Sequence, residues 1–337
     1  MNRTDDGFSS IEFLIALVFL SVLAAAAGYT IKTAGLAAGR RTAAADARAQ
    51  IEKVLDAAAE DLKADPTPLS DSRFDAFWQW NGMTENGCSV KLRSLSSSLN
   101  PNFLRTGVYE KTGLRNLFLP GKNAQQLLQY REDNGLLFTF SDCKDFFSEE
   151  TYGTYFSPYG WANINIIDEF AVRRLVADLT GSDSDGEMFR QKMRTLLADK
   201  QILQTEDEFK MFCGISYDKI YPYINTEPAM NVQFVEPDVL RSILSDADYN
   251  LSGAVQKTKQ LLALRESREL TEDDIVNVLG INRTNRLYYF FGTITWFWQI
   301  EVQNDAAACT EIICRMPPSG MNSQAPAEWY VVEKKWK

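Results

Sequence analysis

The chain has 337 residues, of which 45% are hydrophobic and 24% are charged, and its formal net charge is −10. This composition is ordinary for a globular protein and suffices for about two modest domains plus an anchor. The excess of acid excludes a protein whose main partner is nucleic acid, because phosphate binding depends on surplus Lys and Arg. The chain contains no histidine, which excludes Ser-His and Cys-His catalysis and His-ligated zinc. Because no other nucleophile motif is present, we expect a protein that is not an enzyme.

The N-terminal region carries the first strong signal, an apolar run from Phe13 to Ile31 without a charged residue. A helix of this length spans roughly 28 Å, close to the thickness of a bilayer's hydrocarbon core. One interpretation is an ordinary secretory signal peptide, with small residues for cleavage at 24–26. Such a peptide has a basic front end, whereas Arg3 is the only basic side chain before this run. A membrane-spanning helix is therefore the favoured interpretation.

A single carboxylate, Glu12, lies directly before the apolar run. An acid deep in a membrane helix costs about 2–3 kcal/mol, and less near the helix end, so we expect Glu12 to have a partner. Gly7, followed by Phe8 and by Glu12 four residues after that, resembles the class III leader of type IV pilins and pseudopilins. The resemblance implies that residues 1–7 are a leader and that a prepilin peptidase cuts between Gly7 and Phe8. It also implies that Phe8 is N-methylated and that Glu12 pairs with a neighbouring subunit's N-terminal amine.

The helical pattern continues beyond the apolar run. Apolar residues recur at intervals of three and four, which is typical of an amphipathic helix; they are Ile51, Val54, Leu55, Ala58 and Leu62. Pro66 and Pro68 stop the pattern. We therefore predict one stem helix over residues 8–64, transmembrane over 8–31, with an amphipathic second half.

Two regions rich in β-formers flank a long region with helical patterns. Residues 88–96 alternate like a strand, and from Leu287 the chain is again dense in β-branched and aromatic residues. Between these, residues 101–286 predict helices. The predicted fold class is α+β: a long N-terminal pilin helix packed on a small antiparallel sheet built from residues 65–100 and 287–337. A large all-α insertion interrupts the strands. We interpret the aromatic run 288–298 as sheet core.

The insertion contains an internal repeat. Residues 162–176 align with 230–244, and residues 205–215 align with 271–281. Two copies in the same order predict a duplicated helical module, at about 162–215 and 230–281. In each copy a threonine would cap a short helix that begins with acids, and a glycine would end it: Thr205 with Gly214, and Thr271 with Gly280.

A helical insertion between pilin strands, with Asn-led helix starts, resembles the largest minor pseudopilin of type II secretion systems, the GspK class, over essentially the whole chain. Members usually lack an acid at the position of Glu12, which is a departure here. The resemblance implies a minor pseudopilin in the tip or initiation complex of a pseudopilus, supporting export of folded proteins.

The implied partners are other minor pseudopilins, the major pseudopilin, the prepilin peptidase and the inner-membrane secretion platform. The implied location is a single pass through the inner membrane, with the soluble domain in the periplasm. The main alternative is a minor pilin of a type IV pilus or competence filament. A membrane-tethered enzyme is a third interpretation, disfavoured by the missing histidine.

One short string offers metal ligands: Asp183, Asp185 and Glu187 could donate carboxylate oxygens to calcium. An EF-hand loop requires glycine at its sixth position and glutamate at its twelfth, and this string satisfies neither. The competing interpretation is a solvated helix start, and we expect no obligatory cofactor.

The five cysteines are scattered, without a C-x-x-C motif, at Cys88, Cys143, Cys213, Cys309 and Cys314. Buried free thiols are favoured over a disulfide framework. If Cys309 and Cys314 lie on one strand, they point to opposite faces and cannot bridge each other.

Overall fold

The computed structural model describes residues 10–67, 70–103, 114–160, 162–221, 223–246, 251–316 and 328–337, and no side chain before Gly28. Within these residues the helices are α1 (Ser10–Lys63), α2 (Ala124–Asn134), α3 (Phe140–Cys143), α4 (Glu149–Tyr155), α5 (Glu169–Thr180), α6 (Asp183–Ala198), α7 (Glu206–Cys213), α8 (Tyr217–Ile220), α9 (Pro237–Leu244), α10 (Ala254–Ser267) and α11 (Glu272–Leu279). The strands are β1 (Thr84–Glu85), β2 (Cys88–Ser94), β3 (Ala162–Asn163), β4 (Ile224–Asn225), β5 (Met230–Asn231), β6 (Phe291–Gly292), β7 (Phe297–Gln303), β8 (Ala308–Met316) and β9 (Glu328–Trp336).

Five of these strands form one antiparallel sheet in the order β1-β2-β7-β8-β9. Strands β2 and β7 are neighbours, with Leu92 opposite Ile300, although the whole helical region separates them in sequence. Helix α1 packs on one face of this sheet, and its buried residues include Ile51, Leu55 and Leu62. The predicted α+β class, with a long helix on an antiparallel sheet, is confirmed.

The region between β2 and β7 is not purely helical, which corrects the predicted all-α insertion. Strand β3 pairs with β4 and β5 with β6, both in parallel, and Leu99 forms an isolated parallel bridge with Phe156. Each strand is only two residues long. Segments this short cannot show the alternation by which strands are recognised in a sequence.

The three parallel pairings mark three copies of one unit: residues 99–158 (first unit), 162–227 (second unit) and 230–293 (third unit). Each begins with an asparagine whose Oδ1 accepts the N–H of the residue two positions ahead, at 2.8–2.9 Å. Each Nδ2 donates to a carbonyl at the end of its own unit: Asn100 to Pro158, Asn163 to Glu227 and Asn231 to Thr293. The sequence predicts two such modules, and the structure contains a third ahead of them.

Each unit also contains a short helix that starts with a capping box. The pairs are Thr139 with Asp142, Thr205 with Glu208, and Thr271 with Asp274. The prediction that Thr205 and Thr271 cap helices, which end at Gly214 and Gly280, is confirmed. The capping box satisfies two backbone N–H groups that a helix start leaves unpaired, which explains why this motif recurs in all three units.

The aromatic run 288–298, which the sequence predicts to lie in the sheet core, divides in two. Its first part forms a 3₁₀ turn over Arg286–Tyr289 and packs in the core of the helical region. Only the second part, with Trp298, faces α1 in the sheet core. The misassignment follows from the pattern itself, because a continuous apolar run fits a buried turn as well as a buried strand.

The first and third units share one hydrophobic core, and the second unit has a core of its own. The third unit also contacts the sheet domain directly. Phe234 lies with its ring centroid 4.9 Å from Trp78 and 5.3 Å from Trp298. The helical region is therefore packed against the sheet through its third unit.

All five cysteines are buried and free, which confirms the interpretation as buried thiols. Cys309 lies in the core between α1 and the sheet, whereas Cys314 packs beside Trp296 in a separate cluster. The two thiols thus occupy opposite faces of β8, as predicted.

Candidate assembly site

The C-terminal part of helix α1 packs on the sheet. Small side chains such as Ala58 and Ala59 are buried there, which lets the helix approach closely. Two polar contacts lie near the two ends of the part of α1 that packs on the sheet domain. Trp80 Nε1 donates to Asp61 Oδ2 at 2.7 Å, and Asn304 Nδ2 donates to the Ala47 carbonyl at 3.2 Å. Among the described side chains of α1, Ala47 is thus the first along the chain to be buried against the sheet domain.

Before Ala47 the same helix continues, and the side chains that the structure describes there make no buried contact with the domain. Every described side chain between Gly28 and Asp46 is exposed, and Tyr29 is 72% exposed. The helix from Ser10 to Asp46 is about 55 Å long at 1.5 Å per residue. A helix gains most of its stability by burying an apolar face, so this apolar segment requires an environment outside the domain.

The predicted processing site lies outside the described residues, since the structure describes neither Gly7 nor Phe8. Glu12 belongs to α1, but its side chain lies outside the description. Cleavage, methylation and the pairing of Glu12 remain predictions. In the part of the chain whose side chains the structure describes, no helix is both long and apolar enough to span a bilayer. Most of the predicted span 8–31 lies outside that part.

The calcium candidate forms the start of α6. Ser182 caps this helix by accepting the N–H of Asp185 at 3.2 Å, and Glu187 pairs with Arg190 at 2.8 Å. The glycine in this string serves packing, because a Cβ at Gly186 would lie 2.4 Å from the Arg173 carbonyl oxygen of α5. Among the described residues no group of three His, Cys, Asp or Glu side chains could hold a metal ion.

A buried ion pair that the sequence did not reveal lies where the stem, the sheet and the helical region meet. Asp71 follows the stem helix, and its carboxylate lies 2.7 Å from Arg315 Nη2 of β8, with both side chains at most 2% exposed. The Arg315 guanidinium also stacks over Trp329, 4.6 Å from its ring centroid. Desolvation by burial raises the pKa of Asp71 to about 7, and Arg315 opposes that rise.

The backbone of Asp71 completes the junction. Its N–H donates to the Thr293 carbonyl at 2.8 Å, and its carbonyl accepts from Asn231 Nδ2 at 2.8 Å. One residue thus joins the segment after the stem to β8 and to the third unit. An arginine inside the apolar strand 308–316 was the one available signal for such a pair, but the sequence does not indicate which acid would meet it.

The fold and this site define an α+β protein with a projecting N-terminal helix and a helical region fastened to its sheet. No protein-family model and no curated protein matches the chain. Among solved structures, the chain is similar to one chain of the GspK-GspI-GspJ complex from the type 2 secretion system of enterotoxigenic Escherichia coli. The identity is 11%, the TM-score is 0.37, and the match covers 88% of this chain and 99% of that chain.

Proposed function

We propose that this chain is a minor pseudopilin of the GspK class that works in the tip or initiation complex of a type II secretion pseudopilus. The observation that carries the proposal is the division of α1. One continuous helix, Ser10–Lys63, has a C-terminal part seated on an antiparallel sheet and an N-terminal part that projects from it. The leader pattern at Gly7, Phe8 and Glu12 supports the same assignment.

The projecting helix suits two successive environments. Its apolar sequence is soluble in a bilayer, and the same surface can pack against other stem helices once the subunit leaves the membrane. We place the chain in the inner membrane by a single pass, with the sheet and the three units in the periplasm. Its partners in this scheme are the other minor pseudopilins, the major pseudopilin, the prepilin peptidase and the secretion platform.

The helical region favours a terminal place in the filament. A body of residues 101–286 is about 40 Å across by length scaling, and it is fastened to the sheet through Phe234 and Asp71 rather than tethered. So broad a body would be hard to repeat at every subunit of a tightly packed bundle. The protein in this role is structural and carries out no catalysis.

The N-terminus of the mature protein provides the direct test. Mass spectrometry of the full chain, expressed with a prepilin peptidase, should show a methylated N-terminus at Phe8. Gly7→Leu should abolish cleavage, whereas Gly28→Leu, which meets open space in α1, should be cleaved normally. A mature protein that begins near Ala27 would establish an ordinary signal peptide and remove the proposal.

A secretion assay distinguishes the two filament classes. Deletion of the gene should stop export of folded proteins across the outer membrane while leaving surface pili and DNA uptake intact. Loss of pili or of DNA uptake with normal secretion would assign the chain to a type IV pilus or competence filament instead.

A further inference from the structure

The second unit is a self-contained body within the helical region. Its helices α5 to α8 enclose a core of their own, to which Phe189 and Phe209 belong. Among the described residues, few apolar side chains cross between the cores. Ile166 and the partly buried Ile202 of the second unit pack in the core shared by the other two units, and Phe103 of the first unit packs against the core of the second. We therefore expect the second unit to move as one body.

The chain enters and leaves this unit at one place. Strand β3 at the entry pairs in parallel with β4 at the exit, with Ala162 opposite Ile224. Asn163 Nδ2 at the entry also donates to the Glu227 carbonyl at the exit, at 2.7 Å. A body whose two connections lie side by side can rotate about them, because only the few backbone residues outside the pairing must change.

A buried ion pair joins the second unit to the first. Arg131 of α2 places Nη2 3.0 Å from Oδ1 of Asp168, the residue directly before α5, and both side chains are at most 10% exposed. This Nη2 has no hydrogen-bond partner among the described residues, so the contact is a charge attraction rather than a directed hydrogen bond. Such an attraction is strong in a buried site, where water screens it little.

Each member of the pair is fixed within its own unit. Arg131 Nη1 donates to the Asn102 carbonyl at 2.6 Å, and Asp168 Oδ1 accepts the N–H of Phe170 at 2.9 Å. One backbone hydrogen bond crosses the same joint, from the Asp168 N–H to the Phe103 carbonyl at 3.0 Å. Because neither side chain can shift without disturbing its own unit, the pair fixes the position of one unit against the other.

Two clefts at this joint show that apolar packing does not complete it. One, of about 30 Å³, lies where the three units meet, and its lining includes Phe103, Ile166 and Met230. The other, of about 20 Å³, lies beside the ion pair, and its lining includes Arg131 and Phe170. Each has room for a water molecule, whereas well-packed interiors contain few voids of that size. The ion pair therefore carries much of the attachment.

We propose that the second unit is a hinged module and that the pair of Arg131 with Asp168 is the latch that holds it against the first unit. When the latch is broken, the second unit rotates about its paired connections and exposes Phe103 and Ile166. The first and third units stay together through their common core. The proposal concerns the helical region alone and does not depend on the proposed function.

Asp168→Asn is the variant that tests the latch. It removes the charge that attracts Arg131, while its amide oxygen can still accept the N–H of Phe170, because asparagine caps helices as well as aspartate does. The hydrogen bonds of Arg131 within the first unit are retained. Glu169→Gln is the matched control, since Glu169 pairs with Arg194 inside the second unit, at 2.6 Å.

Spin labels measure the rotation in the full chain in detergent. All five native thiols are buried, so the labels attach to cysteines introduced at exposed positions, by Met211→Cys in the second unit and Val255→Cys in the third. Double electron–electron resonance should give one narrow distance distribution in the wild-type background. Asp168→Asn should broaden it, and Glu169→Gln should leave it unchanged. A label pair that does not span the joint, Val255→Cys with Tyr330→Cys, should keep its distribution in every variant.

Hydrogen exchange separates rotation from unfolding. In Asp168→Asn the amide at position 168, which donates to Phe103, should exchange about tenfold faster after correction for intrinsic exchange. The core amides of α5 and α7 should stay as protected as in the wild type. If the distribution between the labels at 211 and 255 does not change, the pair is not a latch. Loss of protection in α5 and α7 also overturns the proposal, because the second unit would then unfold instead of rotating.

Discussion

In each of the three units, side-chain hydrogen bonds join the turn that follows the first asparagine to the C-terminal end of the unit's long helix or to the residues just after it. Two different kinds of side chain, asparagine and arginine, make these hydrogen bonds. In the second unit, Asn165 clamps the backbone of Leu203, accepting its N–H and donating to its carbonyl, both at 2.9 Å. In the third unit, Gln233 occupies the place of Asn165, and neither of its amide atoms has a hydrogen-bond partner among the described residues. There Arg265 holds the turn instead, by donating to the carbonyls of Val232 and Val235 at 3.2 and 2.6 Å.

The first unit uses both devices. Asn102 clamps Leu137, at 2.9 and 2.7 Å, and Arg131 donates to the carbonyls of Pro101 and Asn102. The second unit has no basic residue in the last turn of α6. Buried backbone groups must find partners, and these units meet the requirement with interchangeable side chains. A repeat can therefore keep its geometry while the residues that maintain it change.

The largest expected effect is the loss of Arg265, because the third unit has no working asparagine clamp. Arg265→Met keeps the apolar stem and leaves two buried carbonyls without their partner. The full chain should lose about 3–5 kcal/mol of unfolding free energy, measured with denaturant in detergent. Arg241→Met, which removes an exposed arginine of the same unit, should change it by less than about 0.5 kcal/mol. Equal losses in the two variants would show that Arg265 does not hold the turn.

The next prediction compares alanine substitutions at equivalent positions of two units, Asn165 in the second and Gln233 in the third. Asn165→Ala should cost about 2–3 kcal/mol, since it leaves a buried N–H and a carbonyl unpaired. Gln233→Ala should change the unfolding free energy by less than about 1 kcal/mol, because the amide it removes is already unpaired and the gain offsets part of the cavity cost. A loss at position 233 as large as that at 165 would mean that Gln233 has a role in the turn.

The features that the sequence predicts depend on interactions between residues close together in the chain, whereas the features it does not predict depend on residues far apart. The seated half of α1, strand β2 and the caps at Thr205 and Thr271 depend on neighbours within a few residues, so periodicity and capping chemistry predicted them. The pair of Asp71 with Arg315 joins residues 244 positions apart. No local pattern specifies such a partner.

The first unit was missed for a related reason. Its asparagine is followed by proline at 101, and α3 is only four residues long, so little of the aligned pattern survives. Its geometry is nevertheless retained by Asn100 and by the capping box at Thr139. A few side-chain contacts to the backbone therefore preserve the unit although most of the aligned residues differ.

A smaller effect is expected from a substitution that should give the third unit the asparagine hydrogen bonds of the second unit. Gln233→Asn shortens the side chain by one methylene and restores the residue type that clamps both other units. We expect a gain of about 1 kcal/mol in unfolding free energy, the net value of the hydrogen bonds formed. Gln233→Ala serves as the control for the change in volume. If Gln233→Asn is no more stable than Gln233→Ala, the clamp requires features of the second unit beyond the asparagine.

The smallest effect concerns the capping boxes, where the units differ in charge pairing. Asp274 of the third unit accepts from both terminal nitrogens of Arg268, at 2.7 and 2.6 Å, whereas Glu208 holds the same place in the second unit without an ion pair within 4.0 Å among the described residues. The hydrogen bonds from Arg268 hold the pKa of Asp274 well below its usual range. A depressed carboxyl pKa stabilises the folded state above the unfolded value, and this stability is lost as the pH falls through the folded pKa.

Arg268 is half-exposed, so solvent screening keeps the contribution of its pair with Asp274 small. Asp274→Asn should cost about 0.5–1 kcal/mol at neutral pH, and the difference from the wild type should shrink in acid, near pH 3. Glu208 has no arginine partner to lose, so Glu208→Gln should reduce the unfolding free energy at neutral pH by less than Asp274→Asn does. Denaturant unfolding of the full chain at the two pH values measures both. A difference for Asp274→Asn that stays constant with pH would mean that its oxygen caps the helix as a neutral acceptor, and that the pairing with Arg268 adds nothing to the third unit.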